Sequence, residues 1–320
     1  MRRISAQIAI VVGACTVTLA SSVGGCKTES SPTSTAPALS QNTEVKGLRP
    51  VPQPKPKPTV EGAPIPIEQV EAAVNPTKLP AYTGPTGIIE GTVHIKGDQA
   101  PEVPLKLPPA CMGAERTYGR LFREGDHRTA ADVLIAVTGF EGYVPETEEA
   151  EAVTIDNCAY STRTIAMTFG QHLEVKNLDA KNSFIPVLQG SRFTAYMVAV
   201  PKGSPVKLYP HRVGQYELVD NMNRSWMSAD TFVLKYATHV VTGLDGHFRL
   251  EGIPAGEVKV NALLPAINAT EGKKITVKAG ETTKVDFVIT FDKTKFDGKT
   301  SPRPIVPPGD SSTPLVPPVK

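Results

Sequence analysis

From Ile88 to Ile289 the chain repeats one pattern, short runs of β-branched and aromatic residues closed every few positions by Gly, Pro or Asp. The clearest runs are Ile88–Ile95, Asp132–Thr138, Ile165–Phe169, His172–Lys176, Phe193–Val200, Tyr216–Val219, Thr231–Tyr236, Phe248–Leu250, Val258–Leu263 and Lys284–Ile289. Runs of this length are strand-sized, and punctuation this dense leaves no room to propagate helices between them. The expected fold class is all-β, with the strands stacked as sandwiches. Asp245-Gly246, between "HVVTG" and "HFRLEG", predicts a hairpin with a type I′ turn, because both central positions favour positive φ. Ala255-Gly256 after Pro254 predicts a similar turn. The longest helix candidate, Ile67–Val74, is ended by Pro76.

The strand-bearing body is roughly 210 residues, enough for one large or two small domains. It is flanked by segments poor in core-forming residues. Residues 26–82 contain "SSPTSTAP" and "RPVPQPKPKPTV", and residues 294–320 contain "SPRPIVPPGDSSTPLVPP". Both are expected to be disordered, the first as a linker and the second as a tail. Extended polyproline geometry at ~3.1 Å per residue would let the linker hold the body tens of ångströms from its point of attachment.

That attachment is read from the N-terminus. Arg2 and Arg3 precede the apolar runs Ile8–Val12 and Val17–Ala20, which predicts a signal peptide over residues 1–25. The apolar stretch is too short and too interrupted to span a bilayer, which takes about 20 apolar residues. Val23-Gly24-Gly25-Cys26 resembles the bacterial lipobox. The resemblance implies that the Cys26 thiol is lipidated and the mature chain begins there; a secretory signal that merely contains a cysteine is the alternative. Lys27, in place of Asp, favours the outer over the inner membrane by the same resemblance. The expected location is the bacterial cell envelope, with the membrane as a partner through the lipid anchor.

Cleavage and lipidation leave Cys111 and Cys158 in the body. In an oxidising compartment these are expected to pair as a disulfide, with two separate buried thiols as the alternative. Cleavage also takes Arg2 and Arg3 from the 34 basic residues, leaving them equal in number to the 32 acidic ones. A neutral chain without a basic stripe has no electrostatic footprint for nucleic acid.

Two stretches of the body resemble known families. "GLDGHFRLEGIPAGEVKVNALLP" followed by "KKITVKAGETTKVDFVI" resembles the carboxypeptidase regulatory-like module, a small transthyretin-like sandwich that carries no catalytic residues. "TIDNCAYSTRTIAMTFGQHLEVKNLDAKNSF" with "VGQYELVDNMNRSWMSADTFVL" resembles a cupredoxin-like domain. Together they imply a cupredoxin-like sandwich over 83–236 followed by a transthyretin-like module over 237–293, with the membership of Ile88–Ile95 left open between the two.

A blue-copper site needs a thiolate, two imidazoles and usually a weak thioether at one end of the sandwich. At the positions this resemblance assigns to those ligands the chain has Asn182, Asn221, Arg224 and Met227, so only the thioether is retained. No cofactor is expected. The alternative is a metal-handling protein using His211, Met222 and Met227 as soft ligands. The other histidines lack metal-ligand spacing, and the run Glu146–Glu151 lacks the spaced pattern of a calcium loop and reads as exposed. Nucleophile elbows and Gly-rich phosphate loops are missing. The chain is therefore expected to be no enzyme but a binding or structural protein of the envelope. An envelope protein or a glycan is its possible partner, and Trp226 and Tyr209 are the candidates for stacking on a sugar.

Overall fold

The computed structural model describes residues 64–191 and 195–296. The signal peptide, Cys26, the linker up to residue 63, Phe193 and the tail beyond residue 296 lie outside the described residues. A short helix, α1 (Ile67–Val74), comes first and ends two residues before Pro76; Val70, Ala73 and Val74 pack it against the body. The strands follow as β1 (Thr86–Gly97), β2 (Leu134–Thr138), β3 (Ala150–Asp156), β4 (Ala159–Tyr160), β5 (Thr164–Thr168), β6 (His172–Asn177), β7 (Pro186–Gln189) and β8 (Val206–Leu208). The second half adds β9 (Gly214–Asp220), β10 (Ser228–Leu234), β11 (His239–Val241), β12 (His247–Pro254), β13 (Gly256–Leu264), β14 (Ala269–Val277), β15 (Thr282–Lys284) and β16 (Phe287–Phe291). A helical turn, α2 (Glu115–Tyr118), lies in the long connection between β1 and β2.

These strands form four sheets. In sheet I, β1 pairs with β12 on one side and with β15 and then β16 on the other; sheet II runs β11-β2-β13-β14. Sheet III runs β5-β10-β9-β7, and sheet IV runs β4-β3-β6-β8. The apolar residues place them in a stack. Ile89, Val93, Phe248 and Phe287 of sheet I meet Ile135, Val137, Val260 and Ala262 of sheet II. Leu134 and Leu263, on the opposite face of sheet II, meet Ala166, Phe232 and Leu234 of sheet III. Ile165, Met167 and Leu218 of sheet III meet Val153, Ile155, Leu173 and Val175 of sheet IV. All-β sandwiches thus form as the strand pattern predicts.

The order of layers follows from the sequence. β1 alternates half-buried and buried positions along most of its length, as a strand facing one core does. In contrast β2 (LIAVT), β5 (TIAMT) and β10 (SADTFVL) are buried almost throughout, because their sheets have a core on both faces. Fully burying an aliphatic or aromatic side chain contributes roughly 1.5–3 kcal/mol, so these central strands supply much of the driving force for stacking.

Three expectations need correction. First, a division at 236/237 does not follow the sheets. β1 pairs with β12, β15 and β16, and β2 pairs with β11 and β13, so the strands within Ile88–Ile95 and Asp132–Thr138 both belong to the C-terminal sandwich. Sheets III and IV use only residues 150–234. Second, Asp245-Gly246 does not close a hairpin, because β11 and β12 lie in different sheets. The turn bonds Gly246 N–H to Gly243 C=O at 2.9 Å, which puts Gly246 at its last position with φ +65°, and the chain crosses from sheet II to sheet I there. Ala255 marks the return crossing. Third, of the expected strand Phe193–Val200, residues 195–198 join no ladder and Ala199 makes only an isolated bridge to Phe184.

Polar groups clamp one end of the junction between sheets II and III. The Asp132 carboxylate, almost fully buried, accepts two bonds from the Arg123 guanidinium, one of them from Nε at 2.6 Å. It also accepts from Thr162 Oγ1 at 2.9 Å and from the Arg163 amide at 2.8 Å. Asp132 leads into β2 while Thr162 and Arg163 lead into β5, so one carboxylate ties both sandwiches together.

Candidate functional site

The residues at the would-be copper positions come from two segments at one end of sheets III and IV. The first is the turn after β6. Buried Asn177 accepts the Asp179 amide through Oδ1 at 2.9 Å and donates through Nδ2 to the carbonyls of Asn182 and Ala199, both at 2.8 Å. Asp179 Oδ1 then accepts the amides of Lys181 and Asn182 at 3.0 Å. Burial pushes the Asp179 carboxyl up, but these backbone donors and the Asn182 side chain outweigh it and hold its pKa below the usual value. Asn182 is thereby aimed inward, with Nδ2 3.2 Å from the Asp179 carboxylate and 3.7 Å from Cys158 Sγ.

The second segment joins β9 to β10. The Asp220 side chain is fully buried and accepts the Ile185 amide at 2.7 Å and Arg224 Nη1 at 2.7 Å. Arg224 also donates to the Ser183 carbonyl at 3.2 Å, and its guanidinium carbon lies 4.4 Å from the centre of the Phe184 ring. Met227 is buried, and its amide donates to the Arg224 carbonyl at 2.9 Å. Asn221 points away as an exposed residue whose backbone amide bonds Ile185 C=O at 2.9 Å.

Cys111 and Cys158 form a disulfide, which ties the turn after Pro108 to the β3–β4 hairpin. Asn157 and Cys158 both have positive φ, the requirement of a type I′ turn. Trp226 Nε1 donates to the Cys158 carbonyl at 3.2 Å, joining this hairpin to the β9–β10 segment. Tyr160, two residues on, is buried with no hydrogen-bond partner for its hydroxyl, and burial raises its pKa well above the ordinary phenol value.

The fit to copper is poor on chemistry alone. Two amides and a guanidinium replace thiolate and imidazoles, and the guanidinium is a fixed positive charge that repels a metal cation. The sulfurs of Cys158 and Cys111 are committed to each other. Among the described residues no group of three or more His, Cys, Asp or Glu side chains could hold a metal ion.

Comparison with known proteins adds a weak likeness. No family model matches the chain, and no curated protein does. Among solved structures, amicyanin from Paracoccus versutus is 13% identical with a TM-score of 0.24, covering 31% of this chain and 97% of its own. A reduced auracyanin from Roseiflexus castenholzii is 14% identical with a TM-score of 0.25, covering 28% and 99%. A Cu-containing nitrite reductase from Thermus scotoductus is 13% identical with a TM-score of 0.24, covering 30% of this chain and 24% of its own. Scores this low decide nothing about the chain.

The alternative metal trio is not assembled. His211 precedes β9 and Met222 follows it, so a strand of 7 residues, about 20 Å at the usual rise, separates them. Met222 is exposed, whereas Met227 belongs to the core between sheets III and IV. The aromatics proposed for sugar stacking are likewise engaged. Tyr209 stacks on His172 at 5.1 Å, and Trp226 packs against the core while bonding Cys158.

Sequence reasoning missed Asp220, because a carboxylate inside the expected strand Tyr216–Val219 and its turn gives no signal until Arg224 is seen beside it. Of the run Glu146–Glu151, read as exposed, residues 147–149 are exposed, but Glu146 and Glu151 at its ends are partly buried. Glu146 Oε2 accepts from Thr168 Oγ1 at 2.6 Å, and Glu151 is half-buried with its pKa pushed up to about 7, by burial first and then by Glu146.

Proposed function

We propose that this chain is a non-catalytic lipoprotein of the bacterial envelope, tethered through Cys26, that presents a rigid two-sandwich body for binding or scaffolding. On this reading sheets III and IV are a cupredoxin-like domain without copper, and sheets I and II, completed by β1 and β2, are the transthyretin-like module. The observation that carries it is the Asp220–Arg224 pair, which bonds the Ile185 amide and the Ser183 carbonyl and so joins the β9–β10 segment to the turn after β6 without a metal ligand. A family scaffold keeps its fold without its ion because its core rests on apolar side chains such as Met167, Leu173 and Leu218.

Copper titration of the purified full chain tests the first half. We expect no thiolate-to-copper absorption band and no stoichiometric uptake; one equivalent of tightly held copper, lost on substitution of Met227, would refute it. Labelling of producing cells with radioactive palmitate tests the anchor. Label and membrane fractionation should both be lost in Cys26→Ser, and an unlabelled parent chain would refute the tether.

A further inference from the structure

A cleft of about 910 Å³ opens along the connection between β1 and β2. Its apolar wall is accessible, with Val103 37%, Met112 55% and Leu244 53% exposed, and it continues into the more buried Leu105, Leu107 and Phe122. The guanidinium groups of the cleft are unequally engaged. Arg123 is held by Asp132, and Arg120 by Glu102 and the Ala100 carbonyl. The exposed Arg116 guanidinium makes no hydrogen bond or ion pair with another described residue. Two routes tie the end of the described chain to this cleft. Phe296 packs on Phe291 with ring centres 5.9 Å apart, and Phe291 meets Phe122 edge-on at 5.1 Å. The Lys293 amide donates to the Asp98 carboxylate at 2.9 Å, and the Asp98 carbonyl accepts from Arg128, which pairs with Glu124 of the cleft wall.

The sequence beyond Phe296 repeats one motif, Pro304-Ile305-Val306-Pro307-Pro308 and, ten positions later, Pro314-Leu315-Val316-Pro317-Pro318. Three prolines in five residues favour polyproline geometry, in which the motif spans ~16 Å. Such a segment has five carbonyls but only two amide N–H groups, because proline has none. Its partner must therefore supply apolar surface and donors, and the cleft has both, since arginine is a donor only. We propose that the chain's own Pro304–Pro308 segment docks in this cleft, with Ile305 and Val306 against Met112 and Leu244 and Asp310 beside Arg116. Pro304 follows Phe296 by eight residues, which reach at most about 28 Å. The second motif needs a loop ten residues longer, which makes its return about threefold less favourable by loop closure. Preset φ angles also reduce the conformational freedom that docking removes.

Methyl NMR of Met112 in the full chain tests this. Ile305→Asp, Val306→Asp, Leu315→Asp and Val316→Asp together should move the Met112 resonance and leave in place those of Met167 and Met227, buried between sheets III and IV. All four substitutions lie outside the folded body, so the fold is not at stake. A spin-labelled peptide of residues 301–312 should broaden the Met112 resonance of that variant. The parent chain, whose own tail competes at a local concentration in the millimolar range, should need about tenfold more peptide for the same broadening. Adding Arg116→Glu to the variant should weaken the peptide about two- to fivefold, and Asp310→Lys in the peptide should recover the loss. An unmoved Met112 resonance, equal broadening in parent and variant, or no recovery in the charge swap would overturn the proposal. So would a Met112 shift in the parent that grows with protein concentration, the sign of a second copy's tail.

Discussion

Asp132→Asn isolates the energetic role of the clamp between the two sandwiches. Asp132 has φ +63°, so alanine would add left-handed backbone strain to whatever the lost contacts cost, whereas asparagine tolerates this region nearly as well as aspartate. Asparagine also keeps an oxygen for Thr162 and the Arg163 amide, now at 2.9 and 2.8 Å. What it loses is the charge, and it turns an NH2 donor toward the Arg123 Nε that now lies 2.6 Å from Asp132 Oδ2. The Arg123 and Asp132 side chains are 13% and 5% exposed, so water cannot take over.

Removing one partner of a buried ion pair costs about 3–5 kcal/mol, mostly through the stranded charge. With the three bonds to Oδ1 retained and the one to Oδ2 lost, the lower end, about 3 kcal/mol, is expected. At roughly 2–4 °C per kcal/mol for a domain of this size, the melting temperature should fall by about 6–12 °C. Urea unfolding supplies the free energy directly. Arg123→Met in the same protein should restore part of the loss, because an apolar side chain leaves no charge behind. A loss under about 1 kcal/mol, the value of an exposed pair such as Arg120–Glu102, would refute the reasoning, as would a double variant weaker than the sum of the singles.

Three further outcomes are expected. Glu151 has a folded pKa raised to about 7, so its contribution to stability is full below about pH 4.5 and lost as pH rises through 7. Glu151→Gln should therefore stabilise the protein by about 1–2 kcal/mol at pH 8 and leave it unchanged at pH 4, read from urea unfolding at both pH values. Leu263→Ala, which empties a side chain 6% exposed between sheets II and III, should cost about 2–4 kcal/mol in the same assay. The disulfide closes a separation of 47 residues, for which chain entropy gives about 4 kcal/mol; paired Cys111→Ser and Cys158→Ser substitutions should lower stability by up to that amount.

Much of the architecture is legible in the chain because side-chain alternation is a local property. Ile88–Ile95 alternates and lies in an outer sheet with one buried face; Leu134–Val137 does not, and is buried on both faces. Which sheet each strand joins is not local. β1 pairs with β16 nearly two hundred positions away, and nothing in either run names the other. The Asp245-Gly246 turn misleads for the same reason, since turn chemistry fixes a reversal of direction but not whether the returning strand pairs with its predecessor or faces it across a core. That Asn182, Asn221 and Arg224 are unsuited to hold copper was legible from their side-chain chemistry. The groups that occupy the space instead, Asp220 and the Asn177–Asp179 turn, were not, because buried hydrogen bonds leave no spacing signature.

Those hydrogen bonds also explain how a sandwich end can stay ordered without an ion. A metal would tie the turn after β6 to the β9–β10 segment through its ligands. Here Arg224 makes the same connection, by bonding Asp220 on its own segment and the Ser183 carbonyl on the other. Trp226 and the disulfide extend the tie to the β3–β4 hairpin and the turn after Pro108. Each such bond is directional and satisfied inside the fold, so this end offers shape and a buried charge pair rather than open coordination positions. Outside these contacts Leu178, Val198 and Met222 are exposed.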